Sequence, residues 1–153
     1  MILGRELEET LAALSAVMAS AQEDWWLIGS AAVALHGADP GKIADVDVVL
    51  SEADAWVILP QLGLPVQGGP GHHQFASHIF ATWRAAPLPV ELMAGLRQCI
   101  DGAWHAVQPQ TRVGKWGEGW QVFVPEREEL AAILRSFGRP KDLARLAALT
   151  ALP

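Results

Sequence analysis

The chain has 153 residues, 51% of them hydrophobic and 18% charged, a balance that excludes disorder and predicts one domain, 1–153, with its own core. A net charge of −6 gives no broad basic footprint for duplex DNA or RNA, although a local cationic pocket stays compatible with it. The lone cysteine, Cys99, excludes an internal disulfide and a cysteine zinc cage and predicts a cytoplasmic protein; no signal peptide is expected from the opening residues, and no apolar run is long enough to span a bilayer.

Apolar residues at helical spacing (Leu7, Leu11, Leu14, Val17, Met18) behind an acidic first turn predict an amphipathic helix from Glu6 to Ala21. Asp24 to Ile28 reads as a short strand, Gly29-Ser30 as a turn, and Ala31 to His36 as a helix ended by Gly37. After the turn at 38–41, the β-branched alternation from Ile43 to Leu50 predicts a central strand, and Ser51 caps a helix to about Gln61. Phe75 to Trp83 and Pro89 to Met93 read as two strands around the Ala85-Ala86-Pro87 turn. The stretch 104–120 reads as loop with short strands, and Trp120 to Val124 as a further strand. Helices are predicted from Pro125 to Phe137 and from Lys141 to Leu149, with Gly138-Arg139-Pro140 between them.

Two features carry chemistry. Asp45 and Asp47 stand at i and i+2 of a strand, hence on one face and about 7 Å apart along the backbone, where they can share a cation. Asp is depleted in strands and costly to bury, so the pair marks either a divalent-metal site or a solvated strand start. Gly29-Ser30, where a strand becomes a helix, is either a phosphate cradle of backbone N–H groups and a hydroxyl or an ordinary helix cap.

In order along the chain, Ile28-Gly29-Ser30, a helical spacer and Asp45-Val46-Asp47-Val48 resemble the nucleotidyltransferase superfamily of the DNA polymerase β type. Leu35-His36-Gly37 and Gly138-Arg139-Pro140-Lys141-Asp142-Leu143 are similar to segments of its AbiEii-like stand-alone members. The resemblance implies an α/β (α+β) fold, a small mixed, mostly antiparallel sheet flanked by helices. It also implies a third carboxylate on a neighbouring strand, for which Glu91 stands in the expected place.

The implied reaction is transfer of a nucleoside monophosphate from an NTP such as ATP to an acceptor hydroxyl, releasing pyrophosphate, with Mg²⁺ or Mn²⁺ on Asp45, Asp47 and Glu91. Gly29, Ser30 and Lys141 would bind the nucleotide, and Arg84, Arg97, Arg112 and Lys115 are further phosphate candidates. Glu91 stands where relatives more often carry Asp, and Arg145 where a second Asp commonly follows. The alternative is therefore an inactive nucleotide-binding or interaction module of a toxin–antitoxin or phage-defence system. The acceptor (RNA, protein or small molecule) and any partner protein or homo-oligomer are left open, and no membrane partner is expected. His72, His73 and His78 read as solvated loop histidines; the tryptophans read mostly as core, with Trp116 and Trp120 the candidates for stacking on a base.

Overall fold

The structure, a computed structural model, describes residues 3–153. Its centre is a four-stranded sheet made from β1 (Trp26–Ile28), β2 (Val46–Leu50), β4 (Ile79–Trp83) and β5 (Val90–Ala94), in the order β1-β2-β5-β4. Only the β2/β5 pair is parallel; β1 runs antiparallel to β2, and β4 antiparallel to β5.

Alternation along these strands separates two apolar faces. Leu27, Val46, Val48, Leu50, Val90, Leu92 and Ala94 turn to the main core, built with α1 (Arg5–Met18), α2 (Gly29–Leu35) and α3 (Glu52–Gln61). From α1, Leu11 and Leu14 enter that core with no exposed surface, and each such side chain contributes about 1.5–3 kcal/mol. Trp26, Ile28, Val49 and Met93 turn the other way, toward Leu96 and Phe137. Asp47 and Glu91 belong to this second face by the same period of two.

Ser51 ends β2 and starts α3 as expected, its hydroxyl accepting from the Asp54 amide at 3.0 Å. Buried Asp54 itself accepts from the amides of Gln22 and Glu23 at 2.9 and 3.0 Å, tying α3 to the segment before β1. The expected strand Phe75 to Trp83 is two strands, β3 (Phe75–Ala76) and β4, because the chain bends at Ser77-His78 and changes sheet. β3 joins β6 (Arg97–Ile100) and β7 (Ala103–Ala106) in a second sheet, and the stretch 104–120 is loop with short strands, as expected. There β8 (Val113–Gly117) pairs with β9 (Trp120–Val124).

Helix α4 (Arg127–Phe137) ends on Gly138, whose φ of +67° is the left-handed cap that glycine adopts without a Cβ penalty. Helix α5 (Pro140–Thr150) follows one residue later, with Arg139 as N-cap and proline at its first turn. Of the tryptophans, Trp25, Trp26 and Trp120 are core. Trp56, Trp104 and Trp116 are exposed, contrary to the mostly buried set expected. Trp120 also donates its indole N–H to Glu8 at 2.7 Å, so it braces α1 and is withdrawn from any stacking surface. No helix among the described residues is long and apolar enough to cross a membrane.

Candidate active site

The parallel register of β2 and β5 sets Asp47 opposite Glu91. Asp45 lies one residue before β2 begins, short of the strand expected from Ile43, yet its carboxylate still turns to the same place. One oxygen from each of Asp45, Asp47 and Glu91 lies within 4.8 Å of the others. Among the described residues this is the one group of three or more His, Cys, Asp or Glu side chains so gathered; His72, His73 and His78 form none. His78 instead faces Glu52 at 3.4 Å.

The loop leading into Asp45 is held from two sides. The Asp39 carboxylate accepts from the Gly41 amide at 2.9 Å, closing a turn in which Gly41 takes φ +71°. Arg145 of α5 donates from Nε to the Pro40 carbonyl at 3.2 Å. Arg145 therefore anchors the approach to the first carboxylate.

Three carboxylates this close oppose one another's ionisation. Burial, then the charges of Asp45 and Glu91, hold the Asp47 carboxyl well above the usual carboxylate range. Burial and then Asp45 raise Glu91 as well. A hydrogen bond between the two side chains acts in opposite senses on them, raising Asp47 and lowering Glu91. The positive charge of Lys141 acts on both in the opposite direction, and Arg84 acts on Glu91. A set of carboxylate oxygens alone, with no sulfur or imidazole, suits a hard divalent cation such as Mg²⁺ or Mn²⁺, which relieves this repulsion.

Gly29 begins α2 with φ +71°, and a Cβ there would meet Asp47 Oδ2 at 2.8 Å. Ser30, next in the chain, is 4% exposed. Lys141 lies exposed in the first turn of α5 and forms no ion pair among the described residues. Its neighbour Asp142 does not balance it. Asp142, 1% exposed, is taken by Arg139, whose Nε and Nη2 donate to it at 2.6 and 3.1 Å. Of the other basic candidates, Arg112 stacks on Phe123 at 3.4 Å and pairs with Asp24, while Arg97 lies over Trp104 at 5.6 Å. Lys115 acts on His36.

A cavity of about 250 Å³ adjoins the carboxylates, with Asp47 and Glu91 in its wall. Phe75, Phe80, Phe137, Met93, Leu96 and Arg139 form half of the remaining lining. Sequence reasoning missed it, since these residues come from β3, β4, β5, the end of α4 and the loops after β5 and α4, and no single periodicity links them.

The sequence matches no family model and no curated protein. The fold is that of nucleotidyltransferases. A Thermotoga maritima protein assigned to the nucleotidyltransferases superposes with a TM-score of 0.75 over 95% of this chain and 93% of its own, at 19% identity. The lincosamide antibiotic adenylyltransferase LnuA, solved with lincomycin bound, gives 0.61 over 99% of both chains at 9% identity. The antibiotic-resistance factor ANT(2'')-Ia gives 0.58 over 94% of this chain and 82% of its own, at 13% identity.

Proposed function

We propose that the protein transfers a nucleoside monophosphate from an NTP to an acceptor hydroxyl, releasing pyrophosphate. The observation that carries this reading is the meeting of Asp45, Asp47 and Glu91 on one face of a sheet with a nucleotidyltransferase fold. Asp45 and Asp47 hold the divalent cations, and Glu91 completes the inner position and orients the acceptor hydroxyl. When bound, Mg²⁺ or Mn²⁺ neutralises charge on the phosphates and on the attacking and leaving oxygens. Gly29 lets the backbone of the β1–α2 turn approach the triphosphate, Ser30 adds a hydroxyl, and Lys141 supplies the positive charge on that side. Leu35-His36-Gly37 and the segment from Gly138 to Leu143 favour a stand-alone, AbiEii-like member of the class.

The test is transfer of label from each α-³²P NTP, with Mg²⁺ or Mn²⁺, into a panel of RNA, protein and small-molecule acceptors. Wild type is expected to label one acceptor class, and Asp45→Asn, Asp47→Asn and Glu91→Gln each to lose roughly 10²–10³-fold, as when an electrostatic stabiliser is removed. Folded variants that label as well as wild type would sink the reading.

A further inference from the structure

The cavity beside the carboxylates limits what the acceptor can be. We propose that it is the acceptor subsite and that it takes a small, uncharged, largely apolar molecule carrying a hydroxyl. This rests on the transferase reading above and narrows it.

Four observations carry the proposal. The cavity's volume of about 250 Å³ falls below the roughly 300–1,000 Å³ of drug-sized pockets, which restricts the occupant to a compact molecule. Phe75, Phe80 and Phe137 supply flat apolar walls, with the Phe75 and Phe137 rings edge to face at 4.8 Å, and Met93 adds a pliable thioether. The one guanidinium in the lining, Arg139, is neutralised by its two hydrogen bonds to buried Asp142 and lies 4.9 Å over the Phe75 ring, so it serves as a planar wall without free charge. At the edge, His72 Nδ1 is occupied by the amides of Gln74 and Phe75 at 3.0 and 3.2 Å, which leaves its Nε2 as a donor.

The carboxylates give the occupant its direction. Asp47 and Glu91 are part of the wall, whereas Gly29, Ser30 and Lys141 lie outside it. The triphosphate is thus placed on the α2 and α5 side of the acidic cluster and the acceptor on the β4 and β5 side. An acceptor seated among the aromatic rings presents its hydroxyl to Glu91. Its oxygen forms the new bond to the α-phosphorus, the bond from that phosphorus to the bridging oxygen breaks, and pyrophosphate leaves with the electron pair. The hydroxyl proton passes by way of the carboxylate end of the cavity to solvent. Apart from Asp47 and Glu91 at the reacting end, a polycationic sugar would find no counter-charges along these walls, and a polynucleotide strand would find neither room nor a basic track.

The experiment uses 2-naphthol as a neutral, flat, hydroxylated probe and tobramycin as a polycation. Binding of each is measured by titration calorimetry, with and without saturating Mg·ATP, alongside the melting shift that Mg·ATP alone produces. Ser77→Trp, placed at the bend that lines the cavity, fills it; Ala76→Leu is the smaller obstruction should the first variant fail to fold. Wild type is expected to bind 2-naphthol with or without Mg·ATP and to ignore tobramycin. The filled variants should lose at least tenfold in naphthol affinity while keeping the Mg·ATP melting shift. Displacement of 2-naphthol by Mg·ATP would make the cavity a base pocket and overturn the proposal. Naphthol affinity unchanged in a folded filled variant, or tighter binding of tobramycin, overturns it too, and all three outcomes leave the transferase reading standing. Absence of any melting shift in wild type with Mg²⁺ and each of the four NTPs overturns the transferase reading itself, and the acceptor role with it.

Discussion

The carboxylate of Asp47 fills the space that a side chain on Gly29 would need, with Oδ2 standing 2.8 Å from the position of the missing Cβ. The glycine is required here for two reasons at once: its φ of +71° lies in the left-handed region, and its bareness admits a carboxylate to the start of α2. The turn and the acidic cluster are therefore one packed unit.

Gly29→Ala is expected to lower stability by about 1–2 kcal/mol from the backbone conformation alone, and to push Asp47 off the point it shares with Asp45 and Glu91. Cation and NTP binding should both fall, whereas Ser30→Ala should cost only one hydroxyl contact. Thermal melts with Mn²⁺ alone and with Mn²⁺ plus NTP separate the two effects. Wild-type shifts in Gly29→Ala would contradict the coupling.

Asp47 and Glu91 are raised in the folded, metal-free protein relative to the unfolded chain, so folding is favoured while they are protonated. Their contribution is complete below the unfolded carboxylate range, about pH 4, and is lost as pH rises through their folded values. Asp47→Asn, which is neutral at every pH, should melt higher than metal-free wild type at pH 7, by about 2–4 °C for each kcal/mol of repulsion relieved. Near pH 4 the difference should vanish. Saturating Mn²⁺ should reverse the order at pH 7 by stabilising wild type alone. Melting curves at both pH values, with chelator and with Mn²⁺, decide it; a mutant less stable than metal-free wild type at pH 7 contradicts the account.

Lys141 has no ion-pair partner among the described residues and acts on Asp47 and Glu91 through its charge. Lys141→Ala is expected to raise KM for NTP roughly tenfold, equivalent to about 1.4 kcal/mol, with a smaller effect on kcat. Lys141→Arg should recover most of the loss, because a point charge toward phosphate is what the position supplies. Steady-state kinetics over a range of NTP concentrations provide the check, and an unchanged KM in Lys141→Ala would remove the residue from the phosphate side.

Breaking the Arg139–Asp142 pair leaves a carboxylate that is 1% exposed without its partner. Arg139→Ala should destabilise by about 2–3 kcal/mol, less than the roughly 3–5 of a fully buried pair because the guanidinium is one-third exposed. Asp142→Asn, which preserves an acceptor for the Arg139 amide, should cost less. Urea unfolding of the two variants measures the order, and equal losses would assign the effect to the helix cap alone.

The Asp45 and Asp47 pair was legible because a strand period of two puts both on one face whatever the strand's neighbours are. Glu91 was not legible that way. Its place opposite Asp47 depends on the parallel pairing of β2 and β5, which no local pattern encodes, and only the resemblance pointed to it. Arg97-Gln98-Cys99-Ile100 gave no strand signal, because β6 lies in a thin second sheet where polar and apolar positions do not alternate cleanly; Gln98, though buried, is satisfied by the Ser136 carbonyl at 2.8 Å. The run from Phe75 to Trp83 looked continuous because its apolar content persists through the bend at Ser77-His78. The cavity was least legible of all, since a lining drawn from several separate elements leaves no trace in sequence order.

The parallel β2/β5 pair also sets when in the life of the chain the acidic cluster comes into being. β1 and β2 are joined by a short connection, whereas pairing β5 with β2 closes the longer loop that carries α3, β3 and β4, and such closures are among the slower events available to a small domain. Until then Asp45 and Asp47 are two acids on an unfinished edge, with weak hold on any cation. If the cluster holds a cation as proposed, tight capture of Mn²⁺ during refolding is expected only once β5 is seated beside β2.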